Sequence, residues 1–452
     1  MTYFELSQSQ ENLTSHSGLA LFGAAFEKTQ LDQRVNQFKL AGAKRAPDIS
    51  HSDILKSYIG LLGLGQSDYE NIEPFRDDEL VFKLPLGLNG VPSSATLRQR
   101  LNQLATMAAA PTLLTVIKEE SLALLKQAGA TFSPTVRELI PLDIDVSPFD
   151  NSKSHKEDVS RTYKGFDGYA PILAYLGLEG YLMNVELRPG QQHCQKGTPA
   201  FLRETLTLTR QLTSARLLVR LDSGNDDAEN LSILTEAENV EFIIKRNRRQ
   251  ESQELWLERA KKLGQAEEVR PGKIVYRGEI WLTKQLTLQG QPVERKIRCL
   301  FEVTERTITA AGQRLLLPEV EVDTYWASLL DPVEVIIDQY HQHGTSEQYH
   351  SEFKNDIDLE RLPSSKFKTN QLILHCGLFA YNQLRLIGQV ANEGDDLPLR
   401  KPANRRRIKT VIQNLIYLAA RIARHARHYK LSFGAWSPWF PAFERVYHHL
   451  TG

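Results

Sequence analysis

Leu142-Asp143-Ile144-Asp145-Val146-Ser147 is the stretch on which the reading of this chain turns. Apolar residues at Ile140, Leu142, Ile144 and Val146 alternate with Pro141, Asp143 and Asp145. A period of two marks a strand with one greasy face and one face carrying carboxylates. Such a strand can pack one face on a core and offer the other to a metal ion. A plain edge strand with solvent-facing acids has the same pattern, so the meaning of the stretch depends on what surrounds it.

The chain beyond Ser147 extends a sheet. Tyr169-Ala170-Pro171-Ile172-Leu173-Ala174-Tyr175-Leu176 is an apolar run, a glycine-bounded turn comes next, and Tyr181-Leu182-Met183-Asn184-Val185-Glu186-Leu187 closes a set of three antiparallel strands. Thr198-Pro199 opens a helix that reaches about Leu212, with proline in its first turn. The strand at 215–221 ends on Asp222, and Ser223-Gly224 turns into a helix whose start is acidic at Asp226, Asp227 and Glu229. Val240-Glu241-Phe242-Ile243-Ile244-Lys245 is a further strand. A carboxylate at the C-terminal end of a strand, before a glycine turn, is a usual place for site residues in α/β sheets. From about 271 to 325 the alternation of strand and helix stops. Short strands separated by glycine and polar turns predict an all-β insertion, and helices resume near Trp326.

Upstream, residues to about 135 read as mostly helical. Asp48-Ile49-Ser50-His51-Ser52-Asp53 caps an amphipathic helix that Gly60, Gly63 and Gly65 are expected to break. Pro92-Ser93-Ser94-Ala95-Thr96-Leu97-Arg98-Gln99-Arg100-Leu101 starts a basic helix that suits either a DNA groove or simple packing. A further helix runs from Thr112 to Gln127.

Length and composition bound the class. The 452 residues suffice for two or three domains. Lys plus Arg equals Asp plus Glu, 55 each, so net charge says nothing of a polyanionic partner and only the distribution of charge can. Cys194, Cys299 and Cys376 are far apart, which argues against a disulfide framework or a zinc site and suits a reducing cytoplasm. No apolar stretch approaches the roughly 20 residues of a membrane span, and the N-terminus lacks signal-peptide character. A cytoplasmic protein with no membrane partner is expected.

The later chain carries two further signals. Tyr340, Glu347 and Lys354 are spaced by seven, close to two helical turns, and His343 joins them at i+3, so one helical face would present all four. Gln371 begins another apolar-periodic helix reaching Ile387. Beyond it come Arg400, Lys401, Arg405, Arg406, Arg407, Lys409, Arg421, Arg424, Arg427 and Lys430, with no acid between 397 and 443. A basic helix of this kind suits a phosphate backbone, and its plain alternative is a solvated face balanced by acids elsewhere.

Three acids stand out: Asp145 on the first strand, Asp222 at the tip of the fourth, and Glu347 on a late helix. Phosphodiester chemistry with two divalent ions needs such a set, and Mg²⁺ takes a few carboxylates plus waters and phosphate oxygens. Asp143, on the same strand face, is the alternative to Asp145 as first ligand, and Glu352 is a weaker alternative to Glu347.

At these residues the chain resembles the DDE transposases of bacterial insertion sequences, in the branch with a Tyr-x2-Arg-x3-Glu-x6-Lys signature. The match is Tyr340, His343, Glu347 and Lys354 with spacing intact, Asp145-Val146-Ser147 for the first acid, and Asp222-Ser223-Gly224 for the second. Tyr163-Lys164-Gly165-Phe166-Asp167-Gly168-Tyr169 and the Pro92 to Leu97 helix start also look like this group. One position departs from the signature: His343 stands where it has arginine, and histidine is charged only part of the time near neutral pH.

The resemblance implies an α/β fold, an RNase H-like mixed sheet with flanking helices. The catalytic core would occupy 136–250 and 326–390. A mostly β insertion at 251–325 would interrupt it, a helical DNA-binding region at 1–135 would precede it, and a basic helical region at 391–452 would come after it. Asp145, Asp222 and Glu347 would hold Mg²⁺, or Mn²⁺, and cut and join DNA by hydrolysis and transesterification. Tyr340, His343, Lys354, Arg405, Arg406, Arg407 and Lys409 would contact DNA. The implied partners are inverted-repeat ends, target DNA and a second copy of the chain on paired ends, in the bacterial nucleoid. The alternative is a repurposed relative that only binds DNA or acts as a simple nuclease. Trp281 and Trp326 are candidates for stacking on a displaced base, with core packing as their ordinary role.

Overall fold

The computed structural model describes residues 3–39, 47–77, 79–135, 137–399, 403–426 and 428–452. Arg400, Lys401 and Arg427 of the basic tract lie outside these. The chain divides into two compact units: Met1–Thr131, Phe149–Tyr169 and His350–Gly452 in one, Phe132–Pro148 and Ala170–Tyr349 in the other.

The second unit is built on one mixed sheet. Its strands in chain order are β1 (Ile140–Val146), β2 (Ile172–Leu176), β3 (Tyr181–Glu186), β4 (Leu217–Leu221), β5 (Val240–Lys245), β6 (Gln265–Arg270), β7 (Lys273–Leu288), β8 (Gln291–Ile308) and β9 (Arg314–Ala327). Their order across the sheet is β6-β7-β8-β9-β5-β4-β1-β2-β3. β1, β4 and β5 run parallel, and β2 and β3 continue antiparallel on the other side of β1. This is the mixed sheet expected of an RNase H-like core, with the first strand inside it. β1 and β4 are almost wholly buried because both faces are covered, which is why their apolar positions are Leu, Ile and Val.

The insertion is not a separate set of short strands. β7, β8 and β9 are 16, 18 and 14 residues long, and β9 pairs antiparallel with β5, so the insertion extends the core sheet. Leu139, Leu218, Ile243, Leu300, Tyr325 and Ile336 share one apolar cluster that joins core strands to insertion strands and to the helix Val333–His341. Burial of such side chains contributes roughly 1.5–3 kcal/mol each.

The first unit is organised around the helix Phe367–Ala391, which is buried along most of its length and packs on the helices His51–Gly63, Ser94–Ala105 and Leu113–Gln127. Each of those three starts at a side-chain cap: Ser50, Ser93 and Thr112 accept from the backbone N–H three residues on. Gly60 and Gly63 do not break the first helix. A Cβ at Gly63 would lie 2.4 Å from the Phe22 ring and one at Gly60 2.6 Å from Leu86, so these glycines admit close neighbours to a fully buried helix. The helix ends instead before Gly65, whose φ is +71°. Arg100 is buried, donating to the Ile49 carbonyl at 3.1 Å and bonding His51, which removes it from the exposed face of the helix Ser94–Ala105.

Two further expectations differ from the structure. The apolar run from Tyr169 is split, since Asp167–Tyr169 belongs to a small three-stranded sheet and only Ile172–Leu176 joins the large one. The basic tract is not one helix. After Ile408–Val411 and a π turn at Ile412–Ile416, it forms a hairpin of Ala420–His425 and His428–Phe433, with Leu13–Thr14 pairing at its edge. Ile422, Tyr429 and Phe433 favour a pleated strand, and a period of two overrides the helical reading. The terminal helix is Phe440–Thr451.

Candidate active site

β1 and β4 are parallel neighbours in the register Asp143 opposite Arg220 and Ile144 opposite Leu221. One step further along lie Asp145 and Asp222. Residues facing each other across a parallel pair point to the same side of the sheet, so register alone brings two acids from separate strands to one end of one face. Asp222 then caps a short turn, Ser223–Asn225, where the Asn225 amide donates to its Oδ1 at 2.5 Å. Asp145 accepts from the N–H of Val146 at 2.7 Å.

The electrostatics register this proximity. Burial, reinforced by the charge of Asp145, pushes the Asp222 carboxyl up to about 6, against the opposing effect of the Asn225 hydrogen bond. Two carboxylates in a shared, poorly solvated place resist being ionised together, and a divalent cation removes that conflict. The donor chemistry of the pair therefore fits a hard metal ion.

Beneath the pair lies a second constellation. Arg220 grips Asp143 with Nε and Nη2 at 2.6 and 2.7 Å, and donates from Nη1 to the Gln339 carbonyl at 2.6 Å. His343 Nδ1 bonds Asp143 Oδ1 at 3.0 Å. Burial acts to raise the Asp143 carboxyl, but Arg220 and then His343 outweigh it and hold it below the usual range. Burial acts to lower His343, and Asp143 outweighs it, so the ring is driven toward the protonated form. Asp143 is thus committed to an internal ion pair, and Asp145 is the other carboxylate of β1 on that face.

The late segment is not one straight helical face. Val333–His341 gives way to a 3-10 turn, Gln342–Gly344, before Thr345–Ser351 and a π turn at Glu352–Asp356. His343, expected to face DNA, is buried on Asp143. Tyr340 is half-buried, with its ring 4.8 Å from Tyr325, and burial together with the charge of Asp222 raises its hydroxyl well above the ordinary range. Glu347 is exposed in the first turn of Thr345–Ser351 and, among the described residues, makes no hydrogen bond or ion pair. Among the described residues no three His, Cys, Asp or Glu side chains are grouped tightly enough to hold a metal ion. Two of the three acids are assembled here and the third is not.

In the other unit, Lys354 is 5.2 Å from the Phe149 ring centre and 4.0 Å from Glu360. Glu352 is fully buried between Arg385 and Arg405, the latter donating to its Oε1 at 2.8 Å. Arg407 pairs with Asp356 at 2.9 Å, Arg406 donates to Asn392 at 3.0 Å, and the Lys409 N–H donates to Asp356. Within the tract Arg405 and Arg407 are therefore neutralised by acids from outside it, and Arg405 is an internal counter-ion rather than an open DNA contact. Trp326 is buried and donates to Asp226 at 2.8 Å, whereas Trp281 is half exposed.

The buried triad Asp143–Arg220–His343 is the part that sequence reasoning missed. An arginine within a run of Leu and Val, two residues before an acid, is its only signal.

A family model described as "Transposase DDE domain group 1" matches residues 4–452. The chain belongs to this family. It is a DNA transposase of the DDE class, whose members cleave DNA and transfer strands with divalent metal ions. Among solved structures it is similar to a piggyBac transposase in a synaptic complex with hairpin DNA, at 11% identity and a TM-score of 0.42, covering 91% of this chain and 82% of that one. No curated protein matches. Among the described residues no helix of this transposase is long and apolar enough to cross a membrane.

Proposed function

We propose that Asp145 and Asp222, completed by Glu347, are the catalytic carboxylates of this transposase and that they hold Mg²⁺, with Mn²⁺ as a substitute. The observation that carries the reading is the β1–β4 register, which delivers Asp145 and Asp222 to one place, with the Asp222 carboxyl raised by burial and by its neighbour. Divalent ions there would activate a water or a DNA 3′-OH and stabilise the leaving oxygen. The chain's own residues do the rest. Arg220 and His343 fix Asp143, and with it β1, to β4 and to the Gln339 backbone. The Tyr340 hydroxyl stays protonated and able to donate to a phosphate oxygen. Lys354, Arg406, Arg407 and Lys409 are the remaining basic candidates for DNA contact. The substrate would be the element's inverted-repeat ends and then target DNA, handled by two copies of the chain in the bacterial nucleoid.

Cleavage of a labelled duplex bearing the element's own ends, with Mg²⁺ or Mn²⁺, tests this for wild type, Asp145→Ala, Asp222→Ala and Glu347→Gln. Loss of cleavage in all three, with DNA binding kept, is expected. Cleavage that survives Glu347→Gln would remove that residue from the set. Binding without cleavage in wild type would favour a DNA-binding relative, the reading that the isolated position of Glu347 suggests.

A further inference from the structure

Beside the Asp222 turn lies a recess of about 580 Å³. One wall is the segment that leaves β5, with Arg246, Arg248 and Arg249, and the other carries Asp226 and Lys284 of β7. β4 and β5 are parallel, with Leu221 opposite Ile244, so the Asp222 turn and the Arg246–Arg249 segment leave the sheet at the same end of the strands. Asp226 ties the two together by accepting from the Asn247 N–H at 2.9 Å.

The charges in this recess do not cancel. Its acids are Asp226 and Glu251. Asp226 is occupied by Asn247 and by the Trp326 indole. Glu251 is occupied by Arg246, through both guanidinium ends, and by the Trp256 indole. Arg248, Arg249 and Lys284 form no ion pair among the described residues. Lys284 lies 4.9 Å from the Trp326 ring centre, a contact that orients an ammonium without neutralising it. Three cations are thus held around one opening, next to an acid pair that by itself repels a polyanion.

We propose that this recess binds phosphodiester groups of the DNA strand that passes the Asp145–Asp222 pair, with Arg248, Arg249 and Lys284 each neutralising a phosphate. The inference rests on the active-site reading and adds to it the groove that offsets the charge of the acids. Contacts of this kind are independent of base sequence and strongly dependent on salt.

The test uses the full chain and a fluorescently labelled duplex of arbitrary sequence, titrated by anisotropy across a salt series. The proteins are wild type, R248A/R249A/K284A, and a charge-matched control on exposed positions of the same unit away from the recess, K262A/K296A/R314A. Thermal melting verifies that each folds. With about 0.9 lost from the log–log salt slope per phosphate contact, the recess variant's affinity falls roughly 40-fold less than wild type's between about 50 and 200 mM salt. The control keeps the wild-type slope. Equal loss of slope in both variants overturns the proposal, because the effect would then be bulk charge. An unchanged slope in the recess variant overturns it as well. Failure of the active-site reading is distinguishable, since Asp222→Asn would then leave cleavage unchanged while the slopes are read independently. Absence of any wild-type DNA binding would overturn both.

Discussion

Arg220 holds Asp143 through two hydrogen bonds, at 2.6 and 2.7 Å, with both side chains almost wholly removed from solvent. Removing one member of a buried ion pair strands the other, at a cost of about 3–5 kcal/mol. Arg220→Ala is expected to destabilise the protein by that amount in urea unfolding. A change below about 1 kcal/mol would mean that water reaches the pair.

His343→Arg tests the corrected place of that residue. If it faced DNA, arginine would strengthen DNA binding. Buried beside Arg220, a longer side chain overpacks the site, so a loss of about 1–3 kcal/mol is expected, with no gain in DNA affinity. Tighter binding at unchanged stability would contradict the buried position.

The Asp222 carboxyl gives a pH dependence with a definite sign. Its folded value, about 6, lies above the ordinary 3.8. The stability it contributes is therefore fully present below about pH 4 and is lost as pH rises through 6. In metal-free protein, Asp222→Asn should raise the melting temperature at pH 7.5 and change it little at pH 4. The difference in stability corresponds to roughly 2–3 kcal/mol. A benefit that is equal at both pH values would show that the carboxyl is not titrating in this window.

Glu352 lies one turn and a residue beyond Glu347 and is the alternative to it as third acid. It is fully buried between Arg385 and Arg405. Glu352→Gln should lower stability by about 3–5 kcal/mol, whereas Glu347→Gln, at an exposed position, should stay within about 0.5 kcal/mol. Chemical denaturation of the two variants side by side gives the answer. The reverse ranking would exchange their roles.

Gly63→Ala would set a methyl 2.4 Å from the Phe22 ring inside a buried helix. The higher helix propensity of alanine, about 1 kcal/mol, is outweighed by overpacking of about 1–3 kcal/mol. A variant that melts above wild type would show that Phe22 has room to move aside.

Local pattern carries much of this protein. Alternation from Ile140 to Val146 is enough for a strand, Ser50, Ser93 and Thr112 announce their helices, and the order of strands and helices marks an α/β sheet with a β insertion. The local contexts Asp145-Val146-Ser147, Asp222-Ser223-Gly224 and the Tyr340 to Lys354 signature carry the resemblance to the DDE transposases. These features depend on neighbours a few residues apart, and a sequence states them directly.

Partnership over long separations is decided only by the tertiary structure. Asp143 and Asp145 are equivalent in the strand pattern, and Arg220, 77 residues away, together with His343 distinguishes them by neutralising the first. His343 reads as an exposed cation until Asp143 is placed beneath it, and the basic tract reads as free charge until Glu352 and Asp356 are placed beside it. A buried charge is defined by the opposite charge that the fold brings to it, because desolvation is tolerated only where that partner is supplied. The members of these pairs lie at least 51 residues apart, so no local window of the chain contains both.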